Sequence, residues 1–322
     1  MFGINGISVA SSARLPHDAS MLKRVLIASL AACLASCTTS LNRPPVSEAR
    51  VGSAPLKIAT WNMEFLAAKD GAGCAPRMPA DYLAMRKIVD TLDADVIAFQ
   101  EVENEAAAAR VFDPAKYTVL MEHRPGEASG SCGGKRPEQQ FIRQAVGFAV
   151  RKGIAFNRNP DLTALSLGNP QLRSGVDIRV TVEGHQPLRL LAVHLKSGCF
   201  QGEGAAACNV LQQQVLVLER WIDAAAEGPD RFIVLGDWNR RLGQPDDAVW
   251  TELDDANPTN ADLRLADEGT KPRCDPRYTS FIDHIVLDRR AGTDLAGFVE
   301  TTYPAGQKHL SDHCPVTVTL AN

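Results

Sequence analysis

The sequence lacks an excess of positive charge and lacks any Cys-x-x-Cys spacing. Its 322 residues contain 34 Lys and Arg against 38 Asp and Glu, which gives a formal net charge of −4 at pH 7. Proteins that hold polyanions by bulk electrostatics usually carry a basic excess, so this composition argues against broad, nonspecific nucleic-acid binding. It leaves room for a small site served by a local basic patch and a bound cation. Without Cys-x-x-Cys pairs, a structural zinc site is not expected.

Internal repeats and interior linkers are also missing after residue 55. An uninterrupted chain of this length fits one large α/β domain, which we place at residues 56–322. Aromatic residues make up only 6% of the sequence and fall mostly inside apolar runs. The sequence therefore offers no aromatic hairpin that would insert into a bilayer.

The N-terminal segment has the features of an export signal. After Met21, two basic residues precede an apolar stretch, 25–35, that is too short to span a membrane as a mature helix. The sequence Leu-Ala-Ser-Cys at 34–37 resembles the bacterial lipobox, in which the cysteine is lipidated and becomes the mature N-terminus. We therefore predict a signal peptide with a lipobox at 1–37, followed by a flexible Ser- and Pro-rich tether at 38–55.

The residue after the lipobox cysteine is Thr38 rather than the Asp of inner-membrane retention. The resemblance therefore implies an outer-membrane lipoprotein that faces the periplasm or the exterior, attached through an N-terminal lipid anchor. An ordinary cleaved signal, which would give a secreted protein, is the alternative. Residues 1–20 precede the better start at Met21 and are open to interpretation as a mis-called extension.

Six of the eight cysteines follow the predicted export segment, an even count that permits disulfides in an exported protein. Cys199 and Cys208 flank a Gly- and Ala-rich loop, so we predict a local bridge that contributes about 2–3 kcal/mol. Cys74 and Cys132 both lie in Gly-rich loops and could also pair. For Cys314 the alternative is a small buried apolar residue. The sequence leaves the pairing outside the local bridge open.

Polar residues stand at the ends of several short apolar runs. Such runs, rich in β-branched residues, predict buried strands, and ligand sites in layered α/β folds gather where strands end in loops. Four runs end at or beside Asn62, Glu101, His194 and Asp237, and Asp312-His313 comes just before the closing run. Together these residues predict one polar, metal-assisted site.

The remaining pattern predicts the fold. Helical spacing is found at 81–92, 104–112, 209–226 and 247–253, and further strands are predicted at 117–121, 145–150, 175–182, 281–287 and 316–320. The Gly- and Arg-rich stretch 124–139 is long enough to be a functional loop. Because the strands occur in pairs and meanders, we predict an α/β fold of four layers, with two mixed β-sheets packed face to face and helices on the outside.

These motifs resemble the endonuclease/exonuclease/phosphatase superfamily, the DNase I-like enzymes, across the whole region 57–320. The motifs occur in the family order: Trp61-Asn62, Gln100-Glu101-Val102, Val193-His194-Leu195, Gly236-Asp237-Trp238-Asn239, Ile282-Asp283-His284-Ile285 and Ser311-Asp312-His313. Each motif is weak alone, and the ordered set is specific. The resemblance implies metal-assisted, in-line attack of water on a phosphodiester.

The resemblance implies a Mg²⁺ or Mn²⁺ site in which Glu101 is the main ligand. Asn62 would be its neutral neighbour, and Asp312 a second or water-mediated ligand. Hard divalent cations prefer oxygen ligands and retain several waters, so one or two carboxylates suffice.

The catalytic roles follow from the same resemblance. Asp237 would accept the proton of the attacking water, and Asn239 would orient that water or the phosphate. Asp283 would fix the tautomer of His313, which would bind phosphate or act as the base instead of Asp237. His194 would contact the phosphate or assist the leaving group.

Three cations are candidates for binding the substrate phosphate, namely Arg143, Lys196 and Arg240. A solvent-exposed role is the alternative for each. Trp61 and Trp238 adjoin predicted catalytic positions, and we expect both to pack in the core rather than to stack on bases.

The predicted function is phosphodiester hydrolysis, with nucleic acid as the favoured substrate and a monomer as the expected state. The first alternative is the same chemistry on a lipid or sugar phosphate, as in sphingomyelinase-like or inositol-phosphatase-like enzymes. The second is a lipoprotein that keeps the fold without catalysis, which the full set of motifs disfavours.

Overall fold

Alternating apolar residues of this chain form two six-stranded sheets. The computed structural model describes residues 54–124, 130–134, 136–199, 205–258, 261–304, 306 and 308–321. The predicted export segment, the tether up to residue 53 and part of the loop 124–139 lie outside these residues. All described residues fall within one unit of tertiary contacts.

The first sheet contains the strands β1 (Leu56–Leu66), β2 (Val96–Val102), β3 (Tyr117–Met121), β4 (Ala145–Arg151), β11 (Leu295–Glu300) and β12 (Val316–Leu320). Their order is β11-β12-β1-β2-β4-β3. The central pair, β1 and β2, is parallel, and the other pairs of this sheet are antiparallel. The sheet is therefore mixed.

The second sheet contains β5 (Ala155–Arg158), β6 (Val176–Thr181), β7 (Leu188–His194), β8 (Arg231–Asp237), β9 (Leu263–Leu265) and β10 (Asp283–Asp288). Their order is β5-β6-β7-β8-β10-β9. Again the central pair, β7 and β8, is parallel and its neighbours are antiparallel. The two sheets thus repeat one arrangement, with a parallel pair at the centre of each.

The helices are α1 (Pro79–Leu92), α2 (Glu105–Val111), α3 (Ala206–Ala226), α4 (Ala248–Leu253) and α5 (Arg289–Gly292). A 3₁₀ turn spans Thr163–Ser166. Helix α3 buries Leu211, Val215, Leu218 and Ile222, which are the residues that its sequence period predicts. Side chains of Asn104, Asp247 and Asp288 cap α2, α4 and α5 by accepting hydrogen bonds from their first-turn amides.

Three apolar clusters define the four layers. The central cluster lies between the sheets and takes residues from both, such as Ile58 and Phe148 from the first and Leu190 and Ile233 from the second. Along β8, Phe232 and Val234 belong instead to the cluster under α3 and α4, as the period of two along a strand requires. A third cluster lies between the first sheet and α1 and α2. The predicted four-layer α/β sandwich is confirmed.

The sequence missed three short or peripheral strands, β5, β9 and β11. It also ended the first strand at Asn62, whereas β1 continues to Leu66. Strand β11 lies at a sheet edge, its register shifts near Gly297, and most of its side chains are at least partly exposed. Strands of this kind carry a weak apolar signal, so pattern alone does not reveal them.

Three disulfides join the six cysteines beyond the predicted export segment, namely Cys74–Cys132, Cys199–Cys208 and Cys274–Cys314. The predicted local bridge and the suggested Cys74–Cys132 pair are present. The interpretation of Cys314 as a small unpaired apolar residue is wrong, because its sulfur bonds to Cys274. Disulfides are consistent with an exported protein. In the part of the chain that the structure describes, no helix is long and apolar enough to cross a membrane.

Candidate active site

Strand register brings three of the predicted residues into one row across the second sheet. The parallel pairing of β7 with β8 places His194 opposite Asp237, and the antiparallel pairing of β8 with β10 places Asp283 opposite Asp237. His194 Nε2 lies 3.3 Å from Asp237 Oδ2. Residues far apart in sequence therefore meet at Asp237.

Asn62 connects this row to the first sheet. Its Nδ2 donates to Asp237 Oδ2 at 2.9 Å and lies 3.3 Å from Glu101 Oε1. The amide is fully buried, and its own Oδ1 accepts a hydrogen bond from the backbone N–H of Glu64 at 2.9 Å. The Asn62 side chain is thus fixed between the strand ends of both sheets.

Oxygen ligands gather beside Glu101. Glu64 Oε2 accepts the backbone N–H of Asp312 at 3.1 Å, and Glu101 Oε2 accepts that of Phe65 at 3.1 Å. Burial raises the pKa of Glu64, and the carboxylates of Asp312 and Glu101 raise it further. A bound cation would relieve this repulsion, and an all-oxygen donor set suits a hard divalent ion. The donor chemistry of these residues therefore suits a hard divalent cation.

A second group of possible ligands overlaps this one. Ligand atoms of Asp237, Asp283 and His313 lie within 4.8 Å of one another. However, His313 Nδ1 donates to Asp283 Oδ2 at only 2.6 Å, which occupies both groups in a strong mutual hydrogen bond. The predicted ligands Asn62, Glu101 and Asp312 are not members of this compact group, although Asn62 borders it through its hydrogen bond to Asp237.

Asp237 is the most perturbed carboxyl of the site. Burial raises its pKa to about 7, although the nearby His313 lowers it, and the Asp283 carboxylate adds to the rise. The backbone N–H of Asn239 donates to Asp237 Oδ1 at 2.9 Å. A carboxyl with a pKa near neutrality can both accept and return a proton at physiological pH.

The pKa values of His313 and His194 are shifted in opposite directions. Burial alone lowers the pKa of His313, but the carboxylates of Asp283 and Asp237 outweigh it and hold that pKa well above the ordinary value. Burial and the guanidinium of Arg173 lower the pKa of His194 well below the ordinary value. The site therefore pairs an imidazolium at His313 with a neutral imidazole at His194.

Asn239 lies beside Asp237 at this row. Its side-chain Nδ2 donates to the backbone oxygen of Leu195 at 3.2 Å and lies 3.2 Å from Asp237 Oδ2. The residue is almost fully buried and has a left-handed backbone, with φ of 50°. The structure thus brings Asn62, Glu101, His194, Asp237, Asn239, Asp283, Asp312 and His313 together.

The three predicted phosphate-binding cations have other contacts. Arg240 Nε donates to Asp247 Oδ2 at 2.6 Å, and the Lys196 ammonium donates to the backbone oxygen of Ser197 at 2.8 Å. Arg143 donates to the backbone oxygen of Glu122 at 2.9 Å. All three side chains therefore donate hydrogen bonds to other groups of the protein.

Arg173 is a cation that the sequence analysis missed. Its side chain is almost fully buried, Nη2 donates to the backbone oxygen of Leu195 at 3.3 Å, and Nε has no partner among the described residues. Burial lowers its pKa, while the carboxylates of Glu101 and Asp237 raise it. This buried guanidinium therefore adds positive charge to the surroundings of both carboxylates. Its only sequence signal was its place just before an apolar strand.

Arg77 was also missed and holds the loops that carry the acidic residues. It is buried and donates to backbone oxygens of Met63, Glu64 and Leu310 at 2.9, 2.7 and 2.6 Å. Ser311 Oγ donates to the backbone oxygen of Asn62 at 2.7 Å. These bonds fix the end of β1 against the loop that contains Asp312 and His313.

Solved structures with the same fold support this architecture. D. rerio TDP2 complexed with a single-strand DNA product is 18% identical, with a TM-score of 0.53 over 83% of this chain and 99% of that one. The 3'-5' exonuclease NExo from Neisseria meningitidis is 16% identical, with a TM-score of 0.55 over 83% and 100%. The human nocturnin catalytic domain with bound sulfate is 16% identical, with a TM-score of 0.55 over 83% and 94%.

No curated protein matches the sequence. The family comparison is decisive, because the match covers residues 59–313 and so spans every strand end described above. Enzymes of this family hydrolyse phosphoester bonds and generally use divalent metal ions. The chain belongs to the Endonuclease/Exonuclease/phosphatase family.

Proposed function

We propose that this protein is a divalent-metal-dependent phosphodiesterase that cleaves nucleic acid. The observation that carries the proposal is Asp237, a buried carboxyl with a pKa of about 7 that lies among Asn62, His194, Asn239 and His313. This arrangement supplies a proton acceptor beside groups that can hold a phosphoryl oxygen. Those are the requirements of in-line hydrolysis.

Glu101, Asn62 and Asp312 would hold the cation, and Glu64 is a further candidate because it bonds to the backbone of Asp312. A bound Mg²⁺ or Mn²⁺ would supply positive charge to the phosphoryl oxygens and to the leaving oxygen. The chain's own residues would orient the phosphate and move the proton.

Asp237 would accept the proton of the attacking water, and Asn239 would orient that water. His313, kept protonated by Asp283, would donate to a phosphoryl oxygen. Arg173 would add a second positive group for the same phosphate. His194, neutral and 3.3 Å from Asp237 Oδ2, would contact the phosphate on the side of the leaving group.

Substitution tests these roles. Asp237→Asn and His313→Ala should each lower kcat by roughly 10²–10⁴-fold, the usual effect of losing a positioned acid or base. Asp246→Asn is the matched control, because it makes the same change at an exposed carboxylate. Full activity in either site variant would overturn the proposal. EDTA should abolish hydrolysis, and added Mg²⁺ or Mn²⁺ should restore it.

A polyanionic substrate predicts a specific salt dependence. Affinity for a nucleic acid falls steeply as salt rises, whereas affinity for a small lipid or sugar phosphate changes much less. KM for single-stranded DNA and for sphingomyelin vesicles, measured between low and physiological salt, separates the two substrate classes. A salt-independent preference for the lipid would favour the alternative.

We also propose that the exported protein is anchored to the outer membrane at Cys37, with the catalytic domain as a monomer beyond the tether. The three disulfides support export, since such bonds persist in oxidising compartments. In a bacterial host, Cys37→Ser should abolish labelling by radioactive palmitate and release the domain from the membrane fraction. Unchanged labelling of the variant would refute the anchor.

A further inference from the structure

The site opens into a cleft that extends well beyond the catalytic groups. Its volume is about 740 Å³, and its lining includes Asn239, Asp283 and His313 at one part and Arg241, Tyr278 and His309 at another. This volume is within the range that holds a nucleotide-sized ligand. The cleft therefore contains more binding surface than a single phosphate needs.

Tyr278 is a large aromatic residue whose ring is available to a ligand. It is 51% exposed, whereas the other three tyrosines, Tyr82, Tyr117 and Tyr303, are buried. The Tyr278 amide donates to the backbone oxygen of Asp275 at 3.0 Å, which forms a turn. An exposed ring held on a turn beside a catalytic cleft suits stacking on a flat ligand.

The turn that carries Tyr278 is fixed to the catalytic loop. Cys274, which begins the turn, is bonded to Cys314, and Cys314 directly follows His313. The backbone N–H of Cys274 also donates to the buried Glu300 carboxylate at 3.2 Å. The disulfide therefore joins the segment that leads into the turn to the residue that follows His313.

Cations and carboxylates both line the cleft around Tyr278. The guanidinium carbon of Arg277 lies 5.7 Å from the ring centroid, and Arg277 Nε bonds both carboxylate oxygens of Asp275 at 2.9 and 3.0 Å. Arg241 lines the same cleft. Asp275 therefore offsets the charge of Arg277, and Arg241 is a cleft cation that would meet a phosphate next to a stacked base.

We propose that Tyr278 is a specificity residue, on which the base of a nucleotide flanking the scissile phosphate stacks, with Arg241 facing a neighbouring phosphate. A base must be unstacked to reach such a ring, so the substrate class is a single strand or a frayed strand end. The inference rests on the proposed nuclease function and names its substrate class.

The test compares two substrates that differ only in the base. One is a short single-stranded DNA, and the other carries tetrahydrofuran abasic residues on both sides of the scissile phosphate. Stacking on one aromatic residue contributes about 1–3 kcal/mol, so Tyr278→Ala should raise KM for the normal strand about 5–150-fold. The KM of the abasic strand should stay within about twofold, and kcat should change little for either.

Tyr278→Phe and Tyr278→Trp should restore the KM of the normal strand, because both keep a stacking ring. Leu83→Ala is the matched control, since it removes an equally exposed apolar side chain from α1. Equal effects of Tyr278→Ala on the two strands, or no effect on either, would overturn the inference. So would a wild-type enzyme that cleaves bis(p-nitrophenyl) phosphate but no single-stranded DNA.

The two proposals fail differently. If wild type hydrolyses phosphodiesters and Asp237→Asn abolishes this, the catalytic proposal stands whatever Tyr278→Ala does. If Asp237→Asn retains full activity, the catalytic proposal fails before the role of Tyr278 is in question.

Discussion

Gly236 offers a direct test of how strand packing sets the geometry of the site. It precedes Asp237 on β8 and pairs with Val193 of β7. Its φ is +149°, and a Cβ added there would lie 2.0 Å from the backbone oxygen of Val193. Because backbone atoms cannot turn aside as side chains do, Gly236→Ala must push β7 away from β8.

The size of the effect follows from two contributions. Overpacking costs about 1–3 kcal/mol, and an L residue held at such a φ costs about 1–3 kcal/mol more. We expect a loss of roughly 4 kcal/mol in the free energy of unfolding, and hence a Tm lower by roughly 8–16 °C. The same displacement separates His194 from Asp237, and a shift of about 1 Å typically costs about 10²-fold in rate.

Gly147→Ala is the matched control. A Cβ at Gly147 would lie 2.2 Å from the backbone oxygen of Leu120 and 2.4 Å from the Phe99 ring, between strands of the first sheet. It should cost only the overpacking part, about 1–3 kcal/mol, because Gly147 has no positive φ, and it should lower kcat less than Gly236→Ala does. Thermal melts and initial rates well below both Tm values measure this. An unchanged Tm in Gly236→Ala, or equal losses of kcat in both variants, would refute the reasoning.

Three further changes have defined outcomes. Burial and neighbouring carboxylates raise the pKa of Glu219 to about 7, so its ionisation lowers the stability of the fold as pH rises from about 4.5 to 7. Because the side chain is partly exposed to solvent, Glu219→Gln should stabilise the fold by only about 1 kcal/mol at pH 8 and by nothing at pH 4. Thermal melts at both pH values test this. Asp283→Asn should lower kcat by roughly 10²-fold, since His313 loses its charged partner. Unchanged kcat in steady-state assays would contradict that role. Replacing Cys74 and Cys132 with Ser opens a loop with a sequence separation of 58 and should lower the free energy of unfolding by about 4 kcal/mol. Urea denaturation measures this, and an unchanged urea midpoint would argue against the loop-entropy explanation.

The layers of the fold could be predicted because their signal is local. Runs such as Phe232 to Leu235 are fully buried and apolar, and the period of α3 matches its buried face. Strand β9 has only three residues, and β11 is largely exposed. In these strands, pairing with a neighbour decides the structure, and a single sequence carries little record of that pairing.

The grouping of polar side chains in the candidate site could be predicted where those side chains lie on predicted strands. Polar side chains of β1, β2, β7 and β8 lie together as expected, because strand register fixes where each one points. The pairing of Arg240 with Asp247 is a contact that the position of Arg240 beside Asn239 does not predict. Arg173 reaches the site through tertiary structure, since its Nη2 donates to the backbone oxygen of Leu195, which no local pattern encodes.

Several residues of the site have a strained backbone conformation that their residue types do not predict. Glu64, Phe65, Glu101 and Asn239 have φ values of 43°, 52°, 60° and 50°, a region that residues other than glycine seldom adopt and that costs on the order of 1 kcal/mol each. Such backbone persists only where surrounding bonds hold it.

Here the bonds that hold the strained backbone come from the site's own side chains. Asn62 Oδ1 accepts the amide of Glu64, Glu101 Oε2 accepts that of Phe65, and Asp237 Oδ1 accepts that of Asn239. Each of these three acceptors therefore has two functions, since it is a proposed catalytic or metal ligand and also fixes a strained turn. Consequently, Asn62→Ala should lower both Tm and activity, whereas a residue that only touched substrate would change activity alone.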